Sequence, residues 1–153
     1  MSRVEETVEV HAPIETVFAQ VTDPRRVPEW NPSVIEVHGV DYPVRVGTTW
    51  EQTVSVLGRM THLSCQVVRY DPPHEGEIEV SGDLRARLWT RCSAGASATR
   101  LTQGIEFEPP GGRLRSIVGK AATATIRHEL RATMSRQRET LEREAGGSDG
   151  SGT

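Results

Sequence analysis

The stretch over residues 112–145 contains no proline and is rich in strong helix formers. As one helix it would be about 50 Å long. Ile126, Leu130, Met134 and Leu141 recur on one face, with Thr123 and Gln137 beside them. Arg127, Arg131, Arg136, Glu139, Glu142 and Arg143 lie mostly elsewhere. An apolar stripe on a charged cylinder needs a partner surface, because packing supplies most of such a helix's stability. Residues 34–107 read as short strands, so the economical solution is an antiparallel sheet curved around one helix. A second apolar group, Leu114, Ile117, Val118 and Ala121, is centred nearly opposite the first. A single straight helix would bury both sides at different ends. The spacing therefore predicts a break, bend or separate short helix near Gly119, since glycine costs about 1 kcal/mol in a helix interior. The alternative is a partner chain over the second patch, as in a homodimer.

The strand half of this solution is legible in order. Val4, Thr7, Val8 and Val10 form a first strand. Ile14, Val17, Phe18 and Val21 recur at helical spacing after Pro13, and Asp23-Pro24 caps a further helical turn that Asn31-Pro32 stops. Six strands follow. Residues 33–39 place Val34, Glu36 and His38 on one face and Ile35 and Val37 on the other. Residues 48–56 are rich in Thr and Val. Residues 61–70 put Leu63, Cys65 and Val67 together, and Asp71-Pro72-Pro73 breaks that strand. Residues 77–81 turn Ile78 and Val80 inward before Gly82-Asp83, a turn signal. Residues 84–92 set Leu84, Ala86, Leu88, Thr90 and Cys92 against Arg85, Arg87, Trp89 and Arg91. Residues 99–107 align Leu101, Gln103, Ile105 and Phe107. Consecutive strands imply hairpins, hence an antiparallel α+β sheet.

With 153 residues and a net charge of −3, the chain is one domain over residues 1–145, and nothing points to nucleic acid or an anionic membrane as partner. Residues 146–153 (GGSDGSGT) read as a flexible tail. Residues 1–10 are acidic and lack an apolar run, and no segment is long enough for a membrane span, so the default is a soluble, cytoplasmic protein. Cys65 and Cys92 have no metal-ligand spacing and read as small buried hydrophobes. HExxH, GxSxG, GxGxxG and CxxC patterns are absent, so neither a metal nor a cofactor is expected.

The opening VEVHAPIETVFAQVTDPRRVPEWNPSVIEV resembles that of the polyketide cyclase/dehydrase-like family, within the START-like, helix-grip superfamily labelled SRPBCC. The matching positions include Ala12-Pro13, Val17-Phe18, Val21, Asp23 and Pro28-Glu29-Trp30-Asn31-Pro32. Gly47, Tyr70-Asp71-Pro72-Pro73, Thr99-Arg100-Leu101-Thr102 and Leu141-Glu142 fit as well, so the resemblance runs over residues 4–143. It implies a seven-stranded antiparallel sheet gripping the C-terminal helix, with two short helices after the first strand. It also implies a cavity between sheet and helix.

A spacious interior agrees with the small inward residues Ala86, Thr90, Cys65 and Cys92 and with only two Phe and two Tyr. Its expected apolar lining is Leu63, Cys65, Val67, Ala86, Leu88, Leu101 and Ile105 from the strands and Ile126, Leu130 and Met134 from the helix, with Trp30 at one end. Thr90, Gln103, Thr123 and Gln137 are the inward polar groups that would orient a ligand. Trp50 either lines the cavity beside Gln52 or covers the outer face, and Glu51 and Glu106 are acid/base candidates if they face inward, though alternation turns Glu106 outward. Trp89 alternates with arginines and reads as outer, and the five histidines read as surface residues. The expected function is binding of a hydrophobic or aromatic small molecule. The resemblance also implies a cyclase/aromatase-type enzyme catalysing aldol cyclisation or dehydration, and the patch around Ile117 leaves a protein-interaction module as a third reading.

Overall fold

The computed structural model describes residues 2–56, 58–108 and 115–150. β1 (Ser2–Val10) leads into α1 (Ile14–Val21), a 3-10 turn (Pro24–Arg26) and α2 (Val27–Trp30). Then come β2 (Val34–His38), β3 (Thr49–Val56), β4 (Arg59–Asp71), β5 (Glu75–Gly82), β6 (Ala86–Ala94) and β7 (Thr99–Phe107). The last element is α3 (Arg115–Gly150). All seven strands form one antiparallel sheet in the order β1-β7-β6-β5-β4-β3-β2. β1 and β2 therefore lie on opposite edges, and the connection between them must cross one end of the sheet. The short helices make that crossing. Asp23 starts the middle turn by accepting a hydrogen bond from the Arg25 backbone N–H at 3.0 Å. α1 buries Val17, Phe18 and Val21 against β6 and β7.

Several expectations change in detail. β2 does not alternate regularly. A bulge between Val34 and Glu36 adds a residue, so Val34 is buried and Val37 half-buried while Ile35 is 51% exposed. A second bulge between Val67 and Arg69 turns Tyr70 inward, where its ring meets Phe18 at 5.6 Å. β6 begins at Ala86, leaving Leu84 in the preceding turn. That turn needs Gly82, at φ 107°, because a side chain there would meet the His62 carbonyl oxygen.

The expected break near Gly119 is absent: α3 is continuous from Arg115. The helix also runs on to Gly150, through residues read from sequence as a tail, since no proline interrupts it. Ala121 is exposed and its neighbour Ala122 buried. Leu114 and the side chains of Ile117 and Val118 lie outside the described residues.

α3 packs against β1 and α2. Arg131 reaches Glu6 at 3.0 Å, and the His11 backbone N–H donates to the Glu142 carboxylate at 2.8 Å. The buried apolar residues fall into three clusters rather than one. Val10, Phe18, Cys92, Leu101, Met134 and Leu141 gather around α1. Trp50, Val54, Leu63, Cys65, Val67 and Val80 gather on β3–β5, and Val4, Phe107 and Ala122 close the opposite end.

Trp89 lies on the outer face, as alternation implies. Its Nε1 donates to Glu5 at 2.7 Å, and Arg3 stacks on its ring at 4.4 Å from the centroid. Gly104, directly opposite on β7, makes room for that ring. A Cβ at Gly104 would collide with it. Gly104→Ala should therefore expel Trp89 and destabilise the protein by about 1–3 kcal/mol, measured by chemical denaturation; an unchanged midpoint would refute the packing.

Burial pushes the Cys65 and Cys92 thiols up to about 12 from an ordinary 9.0. Their neutral form is favoured by folding, so this stability is fully present below pH 9 and is lost as pH rises towards 12. At mildly alkaline pH a thiol reagent should leave both cysteines untouched in the native protein and modify both in denaturant. Rapid native labelling would contradict the burial.

Candidate functional site

A cavity of about 240 Å³ lies between the concave face of the sheet and α3, and its walls draw on all three clusters. Strand β6 gives this space room by setting the small Ala86 and Thr90 on either side of Leu88. Trp50, Leu63, Val67, Leu88, Ile105, Ile126 and Leu130 supply most of the remaining apolar surface. Val21, Pro24, Val27 and Trp30 line it from the helical crossing.

Trp30 is held firmly. Its carbonyl accepts from Arg136 at 3.2 Å, and the Arg26 guanidinium sits 4.9 Å from its ring centroid. Arg26 in turn binds Glu29 at 2.7 Å and Glu144 at 3.1 Å, tying α2 to the far part of α3. Its hydrogen bonds to Glu29 and Glu144 hold Arg26 charged more strongly than usual, outweighing its burial.

Of the sequence-predicted lining, Trp30, Trp50, Leu63, Val67, Ala86, Leu88, Thr90, Gln103, Ile105, Ile126 and Leu130 reach the cavity. Four do not. Cys65 is packed in the β3–β5 cluster, directly across the ladder from Trp50. Leu101 and Met134 are fully buried in the α1 cluster; Met134 stands between the lining residues Thr133 and Gln137 but turns toward α1. Thr123 stands on α3 outside the lining.

The open registers also resolve. Trp50 faces inward and donates to Gln52 at 3.1 Å. Glu51 points outward and accepts from Ser64 at 2.7 Å. Glu106 lies outward, 3.8 Å from both Arg3 and Arg87. All five histidines are exposed. An open depression of about 610 Å³ on the outer face is lined by Glu51, Glu79, Arg85, Arg87 and Glu106, charges with water available to them. The inner cavity is the better candidate, because its walls are mainly apolar.

Two sets of polar groups stand out in the lining, besides Thr22, Asn31, Gln52, Arg69, Tyr70 and Glu77. On the sheet, Gln103 Nε2 donates to Thr90 Oγ1 at 3.3 Å. On α3, Glu129, Thr133 and Gln137 follow one another at four-residue spacing along the cavity wall. Burial raises Glu129 above the ordinary carboxylate value, opposed by a hydrogen bond with Ser33 and by His128. The sequence reading missed Glu129 and Thr133. The signal was available: Glu129 lies about 60° around the helical wheel from Ile126, on the flank of the apolar stripe. Among the described residues, no group of three or more His, Cys, Asp or Glu side chains could hold a metal ion. No described helix is long and apolar enough to cross a membrane.

A family model described as polyketide cyclase / dehydrase and lipid transport matches residues 1–142. No curated protein sequence matches the chain. Among solved structures, a protein from Thermus thermophilus aligns with TM-score 0.79 at 13% identity, covering 92% of this chain and 97% of that one. An aromatase/cyclase from Streptomyces sp. R1128 aligns with TM-score 0.75 at 15% identity, covering 94% and 95%. A START superfamily protein from Mycobacterium smegmatis aligns with TM-score 0.70 at 22% identity, covering 91% and 98%. Identities this low establish a shared helix-grip fold.

Proposed function

We propose that this chain, which belongs to the polyketide cyclase/dehydrase and lipid transport family, binds a compact hydrophobic or aromatic small molecule between its sheet and α3. One observation carries the reading: a mainly apolar cavity with polar groups set in its wall, the pattern of a small-molecule site. Its volume of about 240 Å³ lies below the range of about 300–1,000 Å³ usual for drug-sized ligands, so the occupant is small. A charged metabolite is disfavoured, because burying an unpaired charge is costly. The protein works in the cytoplasm on this reading, with residues 1–145 as its binding domain.

An environment-sensitive hydrophobic dye should bind the folded protein at near one-to-one stoichiometry and perturb the fluorescence of Trp30 and Trp50, which line the cavity. Ala86→Trp should fill the space and abolish binding while circular dichroism stays native. Equal binding by that variant would remove the main support for this site.

A second reading is a cyclase/dehydrase-type enzyme, favoured by Glu129. A half-buried carboxyl on the cavity wall, held above its usual pKa, suits proton transfer during aldol cyclisation and loss of water. The aromatase/cyclase from Streptomyces shares the fold. With a linear poly-β-ketone thioester as substrate, whose methylene carbon can add to a ketone further along its own chain with loss of water, Glu129→Gln should lower cyclised product by about 10²–10⁴-fold and leave dye binding intact. Product formation unaffected by the substitution would remove Glu129 from the chemistry, and no product from the unmodified protein would leave binding alone.

A further inference from the structure

Gln137 is 2% exposed, and its Oε1 is a buried side-chain oxygen with no hydrogen-bond partner among the described residues. Position 137 falls within the arc of the helical wheel set by Ile126, Leu130, Met134 and Leu141, where a leucine or methionine would pack without penalty. A buried acceptor left unpaired there opposes folding. Several other polar groups of the cavity are engaged within the protein. Gln103 donates to Thr90, Trp50 donates to Gln52, and Asn31 Oδ1 accepts from the Ser33 backbone N–H at 3.1 Å. Glu129 shares a hydrogen bond with Ser33. Gln137 lines the cavity, and a small turn of its amide brings this oxygen to a donor on a molecule bound there.

We infer that Gln137 is the polar anchor of the cavity, and that its ligand carries a hydroxyl or N–H donor on a compact apolar body. This deepens the small-molecule reading and rests on it. The expected class is phenol-like or enol-like, with the ring or chain against the apolar wall and the donor on Gln137. The Thr90–Gln103 pair, already closed on itself, shapes the floor without selecting the ligand.

Three probes of nearly equal size separate the terms: naphthalene, 1-methoxynaphthalene with an acceptor only, and 1-naphthol with a donor. Titration followed by tryptophan fluorescence and by calorimetry should find 1-naphthol bound roughly three- to tenfold tighter than the other two. Gln137→Met and Gln137→Leu should erase that preference, bind naphthalene at least as well, and melt no lower than the unmodified protein when ligand-free. Equal affinity for 1-naphthol and 1-methoxynaphthalene in the unmodified protein would overturn the donor assignment without touching the cavity. A preference that survives in both variants would overturn Gln137 as anchor. A fall in ligand-free melting temperature of several degrees in both variants would show that Gln137 has a partner within the fold, which also overturns it. Failure of all three probes to bind would bring down the small-molecule reading and this inference together.

Discussion

β1 pairs with β7 along its full length, Ser2 against Phe107 through Val10 against Thr99, and the rest of the architecture follows from that ladder. It joins the first strand to the last and leaves β2 at the far edge. The chain must then cross the open end of the sheet, and the residues that cross become the end wall. The same strand carries Val4, fully buried with Phe107 and Ala122, and Glu6, which reaches Arg127 and Arg131 on α3. Such exposed ion pairs contribute about 0–1 kcal/mol each. Their effect is to fix where α3 lies over the β1 edge, while the stability comes from the buried stripe of Met134 and Leu141.

With α3 set over that edge, the opposite half of the sheet faces open space. Strand β6 reaches into it with Leu88 but flanks that residue with the small Ala86 and Thr90. The bulge in β4 brings Tyr70 to one end, and Trp30 closes beside it. The three hydrophobic clusters are therefore a single core with a gap in its middle. Native cores are packed nearly as tightly as organic crystals, so a gap of about 240 Å³ is a departure that the rest of the structure must carry.

Strand alternation, the Asp23 cap and the Pro-rich break after Tyr70 each rest on local chemistry, and all were legible in the chain. Part of the cavity lining follows from the same alternation, because inward positions on neighbouring strands face one space. What alternation cannot see is a bulge. The extra residue in β2 moves Ile35 out and Val37 in, and no residue there signals it. Periodicity also says which face a residue is on but not which neighbours it packs against. Leu101 packs into the α1 cluster, and Met134, between the lining residues Thr133 and Gln137, turns to that cluster instead. Glu129 was legible from its place on the helical wheel but easily passed over. It stands at the flank of the stripe, where a charged residue ordinarily meets water. Gly119 was over-read, since one glycine costs less than a long helix recovers by staying continuous.

The ties of Arg26 to Glu29 and Glu144 have a consequence for how the two ends of the chain hold together. Trp30 is tied at its carbonyl to Arg136, and its ring lies under Arg26. Both acids are about half in water, at 51% and 50% exposed, so added salt weakens these links while leaving the buried stripe of α3 untouched. The helical crossing is thus fastened to α3 by charge, and α3 to the sheet by burial.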